Sequence, residues 1–326
     1  MSITIKDIAK HVGVSYSTVS KALNDSPLVK EATKSKILKK AKELGYEPNY
    51  AAQALVSKET KVIGLIWSTI ERVAPSALLT LINDELQKNN YSMIVAIDNV
   101  SNSIDLFKRF SVDGIILFNM PNSELLSTYP LPVITYGVDR ESNFPIIDVN
   151  YEKAIYLAVD YLRELGHEHI SLVGDFSITD ERQIFKLNGF KKALKHFSMA
   201  IYDNSIVNTG GLDWYDGYTA TNRLLLSSKL PTAIIGASYD ITSGIIRSLR
   251  HNHYIIPKDM SVISYDNVPQ LATLEVPVTS VGVPVNEIAK HIVETLLQTI
   301  QTPGIIHEIK LTPIINERVS CASRRK

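Results

Sequence analysis

The sequence predicts a small all-α head followed by a larger α/β body of two lobes with parallel sheets. Three observations carry this. The first 46 residues hold three short amphipathic patterns with helix start and stop residues and no strand-like run. From Lys61 onward, short β-branched apolar runs alternate with helical patterns, as in "KVIGLIW", "YSMIVAI", "VDGIILF" and "PVITYG". After "FPIIDVN" the alternation restarts with the helical "YEKAIYLAVDYLRELG" and the runs "HISLVGD", "TAIIGA" and "SVISYD", giving two series of similar length. Apolar runs separated by amphipathic helices belong to parallel sheets covered on both faces.

In the head, Thr4 is placed to cap a first helix, with Asp7 three residues on in a capping-box spacing. Ile5, Ile8, Ala9 and Val12 then share one face, and Gly13 ends the helix. Ser15 can cap a second helix. A third runs from about Glu31 to Leu44, with Ile37, Leu38, Ala41 and Leu44 as its apolar stripe and Gly45 as its stop. The hydroxyl-rich "VGVSYSTVSKALN" is therefore read as a turn and a helix. Val19 and Leu23 stack at i, i+4 with Ala22 beside them, while Ser17, Ser20, Lys21 and Asn24 face the other way and Tyr16 stands at the exposed end. Helix, tight turn and polar-faced second helix make a helix-turn-helix, whose second helix enters the major groove of DNA. Next, Asn49 can cap a helix of about seven residues in "PNYAAQAL", too short to be stable alone, so its order depends on a partner.

Composition sets the limits. The 326 residues are 45% apolar and 21% charged, an ordinary globular balance. The net charge is zero, but residues 1–60 carry ten Lys, no Arg and six acids, hence +4, leaving −4 for the remainder. A basic head can hold phosphates while the body is repelled. One cysteine, Cys321, excludes an intrachain disulfide, and no leader-like or membrane-length apolar run is present, so a cytoplasmic protein is expected. GxGxxG, Walker, GxSxG and zinc-spaced cysteine motifs are absent, and "GHEHI" and "HNH" fall at a turn and a loop. No enzyme, metal or cofactor is expected.

"TIKDIAKHVGVSYSTVSKALN", followed by "ELGYEPN" and "AAQAL", resembles the head and hinge of the LacI/GalR family of bacterial transcription regulators, and the remaining chain follows that family in order and length. The resemblance implies a helix-turn-helix DNA-binding domain at 1–46, a hinge helix and linker at 47–60, and an effector-binding and dimerisation domain at 61–326. That body would be periplasmic-binding-protein-like, with lobe 1 at about 61–149 and 281–315, lobe 2 at about 150–277, and crossovers near Asn150, Pro277 and Asn316. By the same resemblance Tyr16, Ser17 and Lys21 read bases, and Thr4, Ser15, Thr18, Ser20, Asn24 and Thr33 contact phosphates. Asn49, Ala52, Gln53 and Leu55 form the hinge in the minor groove, with Leu55 as the wedge. Lys21 stands where the family commonly has Arg and offers no planar fork to guanine. Lys30 leaves the third helix without a good N-cap.

Ligands of parallel sheets bind beyond the carboxyl ends of strands. That rule selects Trp67, Ser68, Tyr136, Gly137, Asp175, Ser238, Tyr239 and Asp266. Asp266, in "ISYDN", matches a strand end at which the family's Asp bonds ligand hydroxyls, and two carboxylate acceptors suit a vicinal diol. Lys186 lies where the family usually has Arg, so a bidentate clamp is lost. Trp67, Trp214 and Tyr239 are candidate platforms for a sugar face. Three departures accompany these: Ser238-Tyr239 in place of the common Asn-Asp, a first-lobe second helix shortened within "NVSNSIDLFKRFSVDGIIL", and the loop "WSTIERVAPSALL". The expectation is a repressor of a carbohydrate-utilisation operon that binds a palindromic operator as a homodimer under control of a sugar-like effector. With six residues after Ser320, a dimer without a tetramer-forming coiled coil is expected. An exported sugar receptor would need a leader in place of the basic head, and an enzyme would need a catalytic cluster.

Overall fold

A computed structural model describes residues 3–46, 59–67, 69–118, 131–137, 144–176, 180–302 and 308–324. The chain divides into two compact units, Met1–Thr60 and Lys61–Lys326.

In the first unit α1 spans Ile5–Val12, α2 Tyr16–Leu23 and α3 Glu31–Glu43. The capping box forms: Asp7 N–H reaches the Thr4 hydroxyl and the Asp7 carboxylate accepts from Thr4 N–H at 2.9 Å. Gly13 closes α1 at φ 77°, a left-handed conformation that costs glycine little. The three helices bury Ile8, Val12, Val19, Ala22, Ile37 and Ala41 in one small core. Leu38 does not join it and is 44% exposed. Ile37, Ala41 and half-buried Leu44 fall at i, i+4, i+7, and Leu38 lies one residue round the helix from that seam. α3 has no side-chain cap at Lys30.

The second unit holds two six-stranded sheets. The first-lobe strands are β1 (Val62–Ile66), β2 (Ser92–Ala96), β3 (Gly114–Phe118), β4 (Val133–Tyr136), β5 (Ile146–Val149) and β11 (Glu308–Leu311), in the order β11-β5-β4-β3-β1-β2 and parallel throughout. Helices α4 (Val73–Lys88), α5 (Val100–Phe110) and α10 (Val285–Gln301) belong to this lobe. The second-lobe strands are β6 (Ile170–Gly174), β7 (Ile206–Asn208), β8 (Ala233–Gly236), β9 (Ser261–Ser264), β10 (Thr279–Gly282) and β12 (Ile314–Asn316), in the order β12-β10-β9-β8-β6-β7. Here β12 runs antiparallel to β10 and the other pairs are parallel. Helices α6 (Tyr151–Glu164), α7 (Glu181–His196), α8 (Trp214–Leu224) and α9 (Tyr239–His251) cover it, with α6 on α7 and α8 on α9. The wholly buried β3, β6, β8 and β9 explain the uninterrupted apolar runs of the sequence. α5 is an eleven-residue helix.

The chain crosses between lobes at Asn150, after Gly282 and after Leu311. The last two depart from the expected positions near Pro277 and Asn316. Residues 279–282 stay in the second sheet because β10 pairs with both β9 and β12, and Ile314 and Ile315 return to it through the β10–β12 pairing. Gly282 makes the second crossing possible: its φ is 146°, and a Cβ there would stand 2.7 Å from the Tyr265 carbonyl oxygen.

Candidate functional site: a DNA-reading helix and an interlobe cleft

α2 presents its polar face to solvent. Tyr16 is 65% exposed, Ser17, Lys21 and Asn24 are exposed, and Ser20 is half-buried, while Val19 is fully buried on the opposite face. Ser15 caps the helix: its Oγ accepts from Thr18 N–H at 3.1 Å and lies 2.8 Å from Thr18 Oγ1. Thr4 is exposed and tied to Asp7 Oδ2 at 2.6 Å, which holds the Asp7 carboxyl below its ordinary range. Thr33 sits half-buried in the first turn of α3. The hinge residues Asn49, Ala52, Gln53 and Leu55, and also Ser68, lie outside the described residues.

In the body, the carboxyl ends of the two sheets meet around a cavity of about 100 Å³. From the first lobe come Phe118 and Tyr136 at strand ends, Arg72 and Pro75 at the start of α4, and Val285 and Ile288 on α10. From the second come Tyr151 on α6, Arg182, Gln183 and Lys186 on α7, and Ser238, Tyr265, Asp266 and Asn267. Of the residues expected at strand ends, Tyr136, Ser238 and Asp266 line this cavity, and Lys186, expected from the resemblance, lines it too. Tyr136, Ser238, Asp266 and Lys186 are brought together.

Trp67, Trp214 and Tyr239 are not. Trp67 is fully buried behind Phe118, with ring centroids 4.2 Å apart, so Phe118 is the ring that faces the cavity. Trp214 opens α8, 43% exposed beneath the Arg247 guanidinium, and does not line the cavity. Tyr239 contributes its backbone, whose N–H donates to Asp266 Oδ2 at 2.6 Å. Gly137 and Asp175 likewise do not line the cavity. Missed residues include Arg182, which lies one helical turn before Lys186 on the same face of α7 and could have been found by that spacing.

The charges are arranged in pairs with one pair left apart. Arg182 forms a two-pronged bond with Asp180, both contacts at 2.9 Å, and stacks over Phe118. Arg72 reaches Asp240. Lys186 is 4% exposed, donates to the Ala237 carbonyl at 2.8 Å, and lies 3.7 Å from the Tyr265 ring centroid. Among the described residues no carboxylate lies within ion-pair distance of Lys186. Burial pushes its ammonium down to about 7, with Asp266 acting in the opposite direction. Gln183 Oε1 is buried without a hydrogen-bond partner among the described residues. Such a cavity has donors on α7 and an acceptor at Asp266, with aromatic walls between them. It can hold a small polar molecule by hydrogen bonds, and among the described residues it contains no nucleophile–base pair.

His167 and His169 lie elsewhere, at the amino end of β6. His167 Nδ1 bonds Thr232 Oγ1 at 2.8 Å and His169 Nε2 bonds Asn204 Oδ1 at 2.9 Å. His251 Nδ1 bonds the Tyr218 hydroxyl at 2.5 Å. Among the described residues no group of His, Cys, Asp and Glu is placed to hold a metal ion, and no helix is long and apolar enough to cross a membrane.

A helix-turn-helix unit joined in one chain to a two-lobed body with a polar interlobe cleft defines a ligand-responsive DNA-binding regulator. Comparison with known proteins makes this specific. Residues 4–49 match the family model for bacterial regulatory proteins of the lacI family, and residues 159–321 match that of the periplasmic binding protein-like domain. Catabolite control protein A of Priestia megaterium is 30% identical over 299 residues, 86% of this chain and 90% of that protein. The HTH-type transcriptional repressor PurR of Histophilus somni (strain 129Pt) is 28% identical over 318 residues, covering 94% and 95%. The crystal structure of the lac repressor dimer bound to operator and the anti-inducer ONPF superposes with a TM-score of 0.82 at 22% identity, over 99% of this chain and 100% of that one. The chain belongs to the LacI/GalR family of transcriptional regulators. It is a DNA-binding transcriptional regulator with an effector-binding domain, and its relatives are regulators and not enzymes.

Proposed function

We propose that this regulator is a repressor of a carbohydrate-utilisation operon, and that a sugar or sugar derivative bound between the lobes sets its affinity for operator DNA. The observation that carries the reading is the placement of Lys186 and Asp266 on one cavity with no ion pair between them. A hydroxyl between them can accept from the ammonium and donate to the carboxylate, and a vicinal pair can use both carboxylate oxygens. Phe118 and Tyr136 offer the apolar faces on which a sugar ring packs.

Residues 1–46 bind one half-site, with Tyr16, Ser17 and Lys21 toward bases and Thr4, Ser15, Thr18, Ser20, Asn24 and Thr33 toward phosphates. Residues 47–60 form the hinge, with Asn49, Ala52, Gln53 and Leu55 in the minor groove. Residues 61–326 hold the effector and dimerise, so that two heads address a palindromic operator in the cytoplasm. The exposure of Tyr16, Ser17, Lys21 and Asn24 on one face of α2 supports the DNA roles.

The test is a thermal-shift screen with sugars, sugar phosphates and nucleobases, followed by gel shifts on the DNA upstream of the protein's own gene. A sugar that raises the melting temperature and changes the shift supports the reading. A nucleobase that does so while sugars do not assigns a different effector class.

A further inference from the structure

Helix α4 begins on Arg72, whose side chain makes no cap hydrogen bond, so its first-turn amides take nothing from a side chain at that position. The cap comes from the other lobe. Asp240, in the first turn of α9, accepts from Val73 N–H at 3.5 Å through Oδ1 and from Arg72 Nε at 3.3 Å through Oδ2. These partners are 167 and 168 residues apart in sequence. Both side chains are largely shielded, Arg72 at 22% and Asp240 at 13% exposure. One carboxylate thus serves the positive ends of two helices, α9 of its own lobe and α4 of the opposite one.

We propose that Asp240 is a latch between the lobes: with Arg72 and the α4 amino end it holds the two lobes together across the cleft. Opening breaks Arg72–Asp240 and leaves the first turn of α4 without its cap. Burial works most against the charged Asp240 carboxylate, the Arg72 guanidinium works for it, and the Asp266 carboxylate works against it.

This inference does not rest on the effector's being a sugar, and its test needs no effector. Amide hydrogen exchange is measured on the full chain for wild type, Asp240→Ala, Arg72→Ala, the double variant and the conservative Arg72→Lys. Substitution in one lobe and readout in the other make the test specific. Asp240→Ala is expected to speed exchange of the Val73, Ala74 and Ser76 amides on the first lobe about fivefold, the loss that removing an N-cap brings. Arg72→Ala is expected to speed exchange in the first turn of α9 and at Asp266–Val268 on the second lobe. The double variant should match the larger single effect, and Arg72→Lys should keep part of the protection. Should Asp240→Ala fail to fold, Arg72→Ala and Arg72→Lys carry the same comparison. Effects confined to the substituted lobe, or a double variant equal to the sum of the singles, overturn the latch.

Discussion

Lys186 is buried beneath Tyr265 with its ammonium 3.7 Å from the ring centroid, held by a hydrogen bond to the Ala237 carbonyl in place of an ion pair. This has a consequence for stability. Burial lowers the ammonium to about 7 from its ordinary 10.5. Between those values the unfolded chain binds the proton that the folded chain has released, so native stability rises with pH. Wild type should gain about 2 kcal/mol of unfolding free energy from pH 7 to pH 9 through this group. Lys186→Met should lack that gain. Urea melts at the two pH values measure the difference.

His167 acts at the other end of the pH range. It is 1% exposed, and burial lowers its imidazole from 6.5 to about 4. The folded state keeps the ring neutral while the unfolded chain charges it, so this contribution is complete above pH 6.5 and is lost as pH falls toward 4. From pH 7 to pH 5 it amounts to about 2 kcal/mol. His167→Asn, which can keep a bond to Thr232, should flatten the acid limb of a melting-temperature profile.

The missing cap at Lys30 can be supplied. The backbone there is extended enough for a cap, with φ −58° and ψ 138°, and the residue is exposed. Lys30→Ser should stabilise the head by about 1 kcal/mol. Ser15→Ala, which removes an existing cap, should cost a similar amount. Thermal melts followed in the head report both.

On α2, base-reading and phosphate-binding separate by their signatures on DNA. Lys21→Ala should relax discrimination at one operator position by roughly 1–3 kcal/mol, whereas Asn24→Ala should weaken binding to all sequences alike. Thr18 is a poorer choice for the second test, because its hydroxyl and amide are both engaged with the Ser15 cap. Binding across a set of single-base operator variants distinguishes the two patterns.

Much of this architecture is legible in the sequence because local signals agree with the fold. Thr4 and Asp7, Gly13 and Ser15 mark helix ends by chemistry that needs no partner, and the runs ending in Phe118 and Ser264 are apolar because both faces of their sheets are covered. The site was legible only to the level of strand ends. Trp67 and Phe118 follow the paired positions Ile66 and Leu117 and stack on one face, so strand position alone does not tell which of the two rings reaches the cavity. Arg72, Arg182 and Tyr151 enter the cleft from helices whose position depends on the closing of two lobes. No local pattern encodes the Arg72–Asp240 contact, which spans 168 residues.

Occupancy of the cleft is proposed to set operator affinity. The most direct test titrates an operator fragment from the upstream DNA against wild type and Asp266→Ala, with and without the compound that gives the largest thermal shift on wild type. Wild type should change operator affinity by roughly 5–150-fold on adding the compound. Asp266→Ala should bind operator as wild type does without the compound and show no change with it. An Asp266→Ala response equal to that of wild type, or a tightly bound compound that leaves wild-type operator affinity unchanged, would contradict the account.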